Sequence, residues 1–367
     1  MGLHFLLASQ KNEAQCFYKM LDTGNKNALP IGLHHLQPVS LLQTGENTVD
    51  MMTWLCFILL LLFIPSVGAL ELPGLPQFID EMVIKHQFKR DELEQIFQRT
   101  QYRQAVINII SAPATIKPWP QYRAAFTNNK HISDGLKFWQ NHINALQRAE
   151  KEYGVPQEMI VAVIGVETNY GRNTGKFNVL DTLTTLAFDY PRRADFFRNE
   201  LEQYLLLARE QKFEPFKIQG SYAGAVGIPQ FMPSSYRKHA VDFNNDGNIN
   251  LFNDPEDSIG SVANYFKQYG WQSGEPAAAR VKLNEKAKLK IKETHSTADW
   301  AEMGVIPVKQ TADLESAWLL DFTVSEGKEF WLAYKNFQVI MLYNNSIFYA
   351  MSVYQLADAL HKARTLN

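Results

Sequence analysis

Among 367 residues there are two cysteines, Cys16 and Cys56, and both lie in the first sixth of the chain. A disulfide framework or a thiol nucleophile in the body of the protein is therefore excluded. Charge of one sign is also lacking: 36 Lys and Arg oppose 38 Asp and Glu, for a formal net charge of -2. No run of like charge forms a tail, so nucleic acid is an unsuitable partner. Long apolar runs are absent as well. The longest uncharged one, Trp54 to Ile64, falls short of the ~20 apolar residues that a membrane-spanning helix needs. No internal repeat and no low-complexity linker is found. With 46% hydrophobic and 20% charged residues, the composition is that of a folded globular protein with a sizeable core.

The short apolar run is followed by Pro65, Ser66 and the small-residue group Val67-Gly68-Ala69, the pattern of a cleavable secretory signal. Such a signal belongs at a chain start. The simplest reading is that translation begins at Met51 or Met52, that residues 1–50 are a mis-called extension and 51–69 the signal, and that the mature chain is exported without cysteine. An uncleaved anchor and a buried helix are the alternatives. Cys56 stands at the start of the apolar run, a poor place for a lipid-bearing first residue, so a soluble periplasmic product is expected.

Beyond residue 70 the pattern is mainly helical. Phe78, Met82, Phe88, Leu93, Ile96 and Phe97 recur at three- and four-residue steps, as do Leu136, Trp139, Ile143, Leu146 and Ala149. Between them, Ser111 to Pro120 reads as a Pro-rich extended connector. Val155-Pro156 opens an apolar helix that runs to Glu167, and a long helix through Phe196, Phe197, Leu201, Tyr204 and Leu205 precedes a Gly-rich loop at 220–227. From about Ala277 the texture turns to period-two alternation (Val281, Leu283, Leu289, Ile291) and aromatic runs such as Phe330-Trp331-Leu332, which predicts a small sheet. Phe337 to Leu342 reads as a further strand and Ser352 to Ala363 as a closing helix. The expected class is α+β, mainly α. The domains expected are a helical one over 70–276, a β-containing subdomain over 277–335 packed on it, and a C-terminal segment over 336–367.

Glu167 closes the run Met159-Ile160-Val161-Ala162-Val163-Ile164-Gly165-Val166. A carboxyl at the end of an apolar helix is partly desolvated, which favours its neutral form and suits a general acid near neutral pH. A polar residue emerging at a helix terminus is the plain alternative, and spacing alone does not decide between them. The wider context does. Gly165-Val166-Glu167-Thr168-Asn169-Tyr170-Gly171, Tyr190-Pro191-Arg192-Arg193-Ala194, Gly220-Ser221-Tyr222-Ala223-Gly224-Ala225-Val226-Gly227 with Pro229-Gln230-Phe231-Met232-Pro233-Ser234-Ser235-Tyr236, and Gly260-Ser261-Val262-Ala263-Asn264-Tyr265-Phe266 follow one another in the order of the signatures of the membrane-bound lytic transglycosylase B family. From about Leu75 to the C-terminus the chain resembles that family.

The resemblance implies a lysozyme-like helical fold around a glycan groove, with Glu167 as the catalytic residue. It implies that Ser221 and Gln230 line the cleavage site, with Ser221 hydrogen-bonding the acetamido group of muramic acid. Tyr122, Tyr265, Tyr343 and Asn344 fall on groove positions that stack on or hydrogen-bond sugars, although an aromatic at helical spacing is more often core. Arg192 and Arg193 would meet peptide-stem carboxylates, unless they are a solvated helix start. The chain departs from the family at Phe196, where Tyr is frequent, and at Ile228-Pro229, where many relatives carry a Tyr-Gly pair.

A second constellation is Asp242-Phe243-Asn244-Asn245-Asp246-Gly247-Asn248. Oxygen side chains at places one, three and five, Gly at six and a carbonyl at seven match the first half of an EF-hand loop. Place twelve is Asn253, not Glu. The resemblance implies a longer loop closed by Asp257, and hence a structural calcium held by Asp242, Asn244, Asp246, the Asn248 carbonyl and Asp257. An Asn/Asp-rich turn is the alternative.

Most glycosidases use two carboxylates, and no second acid here shares so apolar a setting. The resemblance implies that one suffices. In the implied reaction Glu167 protonates the glycosidic oxygen between N-acetylmuramic acid and N-acetylglucosamine, the substrate's acetamido carbonyl supports C1, and Glu167 then takes the C6 hydroxyl proton as a 1,6-anhydro ring closes. No cofactor enters the chemistry. Peptidoglycan strands are the expected partner, cell-wall synthesis complexes the protein partners to look for, and a monomer the expected state. The rival readings are a hydrolysing muramidase on the same fold, a non-catalytic peptidoglycan-binding envelope protein, and a calcium-responsive signalling protein, which would need paired hands where one is found.

Overall fold

The computed structural model describes residues 72–366 apart from 113–116, 286, 288–290, 292 and 310–313. Both cysteines, the apolar run at 54–64, the small-residue site and Leu289 lie outside the described residues. In chain order the helices are α1 (Leu75–His86), α2 (Arg90–Arg99), α3 (Gln104–Ser111), α4 (Trp119–Ala124), α5 (Asn129–Asn141), α6 (Ile143–Tyr153), α7 (Gln157–Thr168), α8 (Val179–Asp189), α9 (Ala194–Glu210), α10 (Pro233–His239), α11 (Pro255–Gln268), α12 (Thr297–Glu302), α13 (Lys335–Tyr343) and α14 (Ile347–Thr365). The strands are β1 (Phe177–Asn178), β2 (Gln219–Gly220), β3 (Ala278–Leu283), β4 (Thr294–His295), β5 (Val305–Pro307), β6 (Ala317–Val324) and β7 (Gly327–Ala333).

The centre of the fold is α7. It is apolar on all sides, every residue from Met159 to Thr168 is buried, and a helix of that kind is stable only when surrounded. Helices α5, α6, α11 and α14 supply the surround. Pro156 occupies the N-cap, where the missing N–H is harmless, and three left-handed residues, Asn169, Tyr170 and Gly171, turn the chain away after Thr168. Helices α8 and α9 pack as a pair beside this centre. Asn178 caps α8 by accepting from the Asp181 N–H, and Arg103 and the Gln101 N–H tie the loop between α2 and α3 to the Asp181 carboxylate.

Strands β4, β6, β7, β3 and β5 form, in that order, an antiparallel sheet. Because strand side chains alternate, β6 sends Leu320 and Phe322 into the helical core and Leu319 into a second, smaller core with Ala279, Val281, Leu332 and Trp300. The sheet is anchored by Trp119 of α4, whose indole packs 4.6 Å from the Phe322 ring and donates to the buried Glu329 carboxylate at 2.8 Å. Buried Asn336 also joins sheet exit to helix exit, bonding the Gln272 N–H and the carbonyls of Gln272 and Glu275.

Three sequence expectations are corrected. Phe337 to Leu342 is not a strand but part of α13, where Asn336, Phe337, Val339 and Ile340 are buried and Leu342 exposed; that is helical spacing, which a six-residue apolar run does not reveal. The Pro-rich connector gives way to α4 at Trp119, since Pro120 sits in the first turn, where proline is tolerated. Val281 and Leu283 lie in β3, whereas Ile291 lies in a turn.

Candidate active site

Glu167 sits in the last turn of α7 with 4% of its surface exposed. Its Oε1 accepts a hydrogen bond from the Tyr349 hydroxyl at 2.6 Å. Tyr349 lies in the first turn of α14, 182 positions further along the chain. Burial pushes the Glu167 carboxyl up to about 8, against a smaller opposing effect of the Tyr349 bond. At neutral pH the group is a neutral acid with a proton to give. Tyr343 and Tyr349 are themselves held well above the ordinary tyrosine range by burial and by the proximity of Glu167, and Tyr122 is raised by the same two causes. All three phenols therefore remain neutral.

A pocket of about 270 Å³ adjoins Glu167, its walls drawn from the end of α7 and from residues 125–134. Asp134 in its wall is paired with Arg172 and with Lys130, the latter at 2.7 Å, and these two cations hold it far below the usual carboxylate range. Two acids in one pocket are thus set apart, one neutral and one fixed as an anion.

The Gly-rich loop is clamped to the end of α7. Thr168 shares its one hydroxyl hydrogen between the carbonyls of Ile228 at 2.8 Å and Ile164 at 3.2 Å while accepting from the Gly171 N–H. Within the loop Ser221 Oγ accepts from the N–H groups of Ala223 at 3.1 Å and Ala225 at 3.0 Å. A hydroxyl has two acceptor sites and one hydrogen, so the Ser221 O–H is left to donate. Gln230, left-handed at φ 53, donates through Nε2 to the carbonyls of Thr174 and Gly227, and its buried Oε1 has no partner among the described residues. Gly175, at φ +105, could carry no side chain, because a Cβ there would stand 2.0 Å from the Gly220 oxygen.

The remaining expected residues divide. Tyr343 donates to the Pro229 carbonyl at 2.5 Å and lies nearly parallel to Tyr349, with centroids 6.4 Å apart, so it supports both the loop and Tyr349. Asn344 is 2% exposed, and neither side-chain amide atom has a partner among the described residues. Tyr122 is buried against Trp119, Phe126 and Phe348. Tyr265 donates to the Leu342 carbonyl and packs on Tyr343, which makes it core. Arg192 is exposed; Arg193 lays its guanidinium over Phe196 at 4.1 Å, and neither lines the pocket beside Glu167. Sequence reasoning missed Tyr349 and Asp134. Tyr349 stands only five residues beyond Asn344, but no local pattern distinguishes it from a core tyrosine.

In the acidic loop Asp242 accepts from the N–H groups of Asp246 and Gly247, and fully buried Asp257 accepts from those of Phe243, Asn244 and Asn250. Burial raises the Asp257 carboxyl, and Asp254 adds to the effect. The side-chain amide nitrogen of Asn244 stands between the carboxylates of Asp246 and Asp254, at 3.3 and 2.7 Å. Asp254, one of the two, lies outside the expected ligand set. Among the described residues, no three His, Cys, Asp or Glu side chains alone form a metal-holding group; the expected set depends on Asn244 and a carbonyl besides its acids.

Comparison with known proteins decides the family. Residues 72–358 match the family described as Transglycosylase SLT domain. The chain belongs to this transglycosylase family. It is 44% identical over 305 residues, 80% of its own length and 84% of the relative's, to the membrane-bound lytic murein transglycosylase B of Escherichia coli. Its structure is similar to soluble lytic transglycosylase SltB1 of Pseudomonas aeruginosa, with TM-score 0.74, 45% identity, and coverage of 80% of this chain and all of that one. It is likewise similar to the Escherichia coli lytic transglycosylase Slt35 solved in complex with calcium, with TM-score 0.75, 42% identity, and coverage of 80% and 95%. The family member described here is accordingly a peptidoglycan lytic transglycosylase with a mainly helical, lysozyme-like α+β fold. Among the described residues no helix is long and apolar enough to cross a membrane.

Proposed function

We propose that Glu167 is the one catalytic acid and base of this transglycosylase, and that it cleaves the β-1,4 bond between N-acetylmuramic acid and N-acetylglucosamine to leave 1,6-anhydromuramic ends. The observation that carries the reading is the buried carboxyl of Glu167, held neutral by desolvation and bonded to the Tyr349 hydroxyl. Protonated Glu167 gives its proton to the glycosidic oxygen. As it becomes an anion, the Tyr349 hydroxyl, already in place, supports the developing charge. The freed O–H of Ser221 is suited to fix the substrate's acetamido group so that its carbonyl reaches C1. Ionised Glu167 then removes the C6 hydroxyl proton, and the ring closes without water. Gln230 and Asn344 hold buried amide atoms with no partner among the described residues, and a sugar reaches them only once the side chains over them move aside. Asp134 has been made too weak a base by its two cations to activate a water, which argues against hydrolysis.

We propose further that Asp242, Asn244, Asp246, the Asn248 carbonyl and Asp257 bind calcium in a structural role, that export by a signal at 51–69 places the enzyme in the periplasm, and that it works as a monomer on glycan strands, with cell-wall synthesis complexes as protein partners. We assign the catalytic domain to 70–276, the β-containing subdomain to 277–335, and to 336–367 the return to the site that brings Tyr349. Digestion of purified sacculi followed by mass spectrometry tests the central reading. The wild type should release anhydromuropeptides, and Glu167→Gln should release none above the assay floor, since each proton transfer is worth about 100- to 10,000-fold. Reducing muramic ends from the wild type would replace the transglycosylase with a hydrolase.

A further inference from the structure

Glu329 is a buried carboxylate to which the mechanism above gives no part. It stands on β7 directly opposite Phe322 of β6, so the two side chains leave the same face of the sheet. Both meet Trp119 of α4. Phe322 packs against the indole at 4.6 Å, while Glu329 Oε1 accepts the indole N–H at 2.8 Å. Arg123 completes the grip: its Nη1 reaches the same Oε1 at 3.4 Å, and the guanidinium stands 5.8 Å from the centre of the Trp119 ring. Burying a carboxylate is costly unless it is bonded, and apolar side chains of like volume commonly serve as well for stability alone. What Glu329 adds to packing is orientation, since a hydrogen bond is directional and apolar contact is not.

That orientation is passed towards the acid. The Trp119 ring lies 5.2 Å from that of Phe348, which Tyr122 meets at 5.5 Å and Phe322 at 6.0 Å. Rings from α4 and β6 thus box Phe348, the residue before Tyr349 in the first turn of α14. The turn has an end cap in Ser346, but the bond from the Tyr349 N–H to its Oγ is 3.3 Å long, and hydrogen bonds weaken with length. The box around Phe348 supplies a second hold. On the far side of this turn the Tyr349 hydroxyl donates to Glu167 at 2.6 Å, a bond short enough to be weakened by a small displacement.

We propose that Glu329 is a positioning residue for Tyr349: by fixing Trp119 it fixes Phe348, and through Phe348 the first turn of α14 that brings the Tyr349 hydroxyl to Glu167. This assignment rests on the functional reading above. It gives the β6–β7 hairpin a part in catalysis, although no strand residue lines the Glu167 pocket.

The test is a double-mutant cycle in the full enzyme, with soluble glycan strands of defined length as substrate. Glu329→Leu keeps the bulk and removes the acceptor. It should lower kcat about three- to tenfold, the scale of one net hydrogen bond, with KM within about twofold. The alkaline limb of kcat/KM should move up by about half a pH unit, in the direction expected of Tyr349→Phe. Glu329→Gln should restore kcat to within about twofold of wild type and return the limb, because Trp119 and Arg123 reach one oxygen and an amide oxygen can accept from both. In a Tyr349→Phe background Glu329→Leu should change kcat by less than about twofold, since the bond it acts through is gone. Trp119→Phe, which keeps a ring in the box but has no N–H, should give the same pattern and takes the place of Glu329→Leu if that variant does not fold. An undiminished loss of kcat in the Tyr349→Phe background would overturn the proposal, because Glu329 would then not act through Tyr349. So would a lower melting temperature with kcat and the limb unchanged, the mark of a merely structural tie. A wild type that releases no muropeptides from sacculi would instead overturn the functional reading itself.

Discussion

Glu167→Gln should abolish cleavage and at the same time make the protein more stable in mildly alkaline solution. The cause is the burial of a carboxyl whose bonded partner among the described residues is Tyr349. Its folded-state value of about 8 stands above the ordinary 4.5, so between these limits the folded chain holds a proton that the unfolded chain has lost. Stability then falls with rising pH across this window. Below about 4.5 both states are protonated and no penalty exists; above about 8 the penalty is complete. At ~1.36 kcal/mol for each pH unit that separates the two values, its ceiling is on the order of 5 kcal/mol, and relaxation around the anion reduces it. Even part of this is a large share of a typical net stability of about 5–15 kcal/mol. Gln has no proton to lose. Any cost of seating its amide hydrogens in the site does not vary with pH. Urea unfolding of both proteins from pH 4 to 9 reads the difference directly. The wild type should lose ground to the variant through the window, with a slope near ~1.36 kcal/mol per pH unit at its steepest. A difference that stays constant from pH 5 to 9 would refute the claim that Glu167 is desolvated, and with it the basis of its acid role.

Tyr349→Phe removes a bond that favours the ionised acid; a bond of this charge-assisted kind is worth about 1.5–3 kcal/mol, so the alkaline limb of kcat/KM should move up from about 8 by roughly one to two pH units while kcat falls. A limb that does not move would show that Tyr349 does not act on Glu167. Calcium should raise the melting temperature by preferential binding to the folded state, ~2.7 kcal/mol at a hundredfold excess over Kd, and Asp246→Ala should lose most of the gain; equal melting in calcium and in chelator would reduce the loop to a turn. Gly165→Ala should destabilise by about 1–3 kcal/mol through overpacking against Tyr170, despite alanine's better helix propensity; a stabilised variant would mean that Tyr170 moves aside freely.

The helical frame and the acid were legible because their signals are local. The apolar run 159–166 announces a buried helix, Pro156 its start and Glu167 an anomalous polar end, and the blocks around them carry the family resemblance. What failed to show was of two kinds. The run 337–342 is too short for its period to be read, and only the burial of Asn336, Phe337, Val339 and Ile340 reveals the helix. Tyr349 and Asp134 matter through contacts made across the fold. Tyr349 meets Glu167 over 182 positions and Asp134 meets Arg172 over 38, separations at which no spacing rule operates. Conversely, Tyr265 looked like a groove residue because an aromatic inside a family-like block is ambiguous, and its hydroxyl proves to be tied to the backbone at Leu342.

The Tyr349 bond also places the site in time. Helix α7 is made long before α14, so a growing chain has Glu167 without the hydroxyl that supports its anion, and the apolar helix without one of its walls. The support of the anion and the last wall of α7 are in place only when α14 docks. A change that loosens α14 therefore reaches the acid directly, without touching any residue of α7.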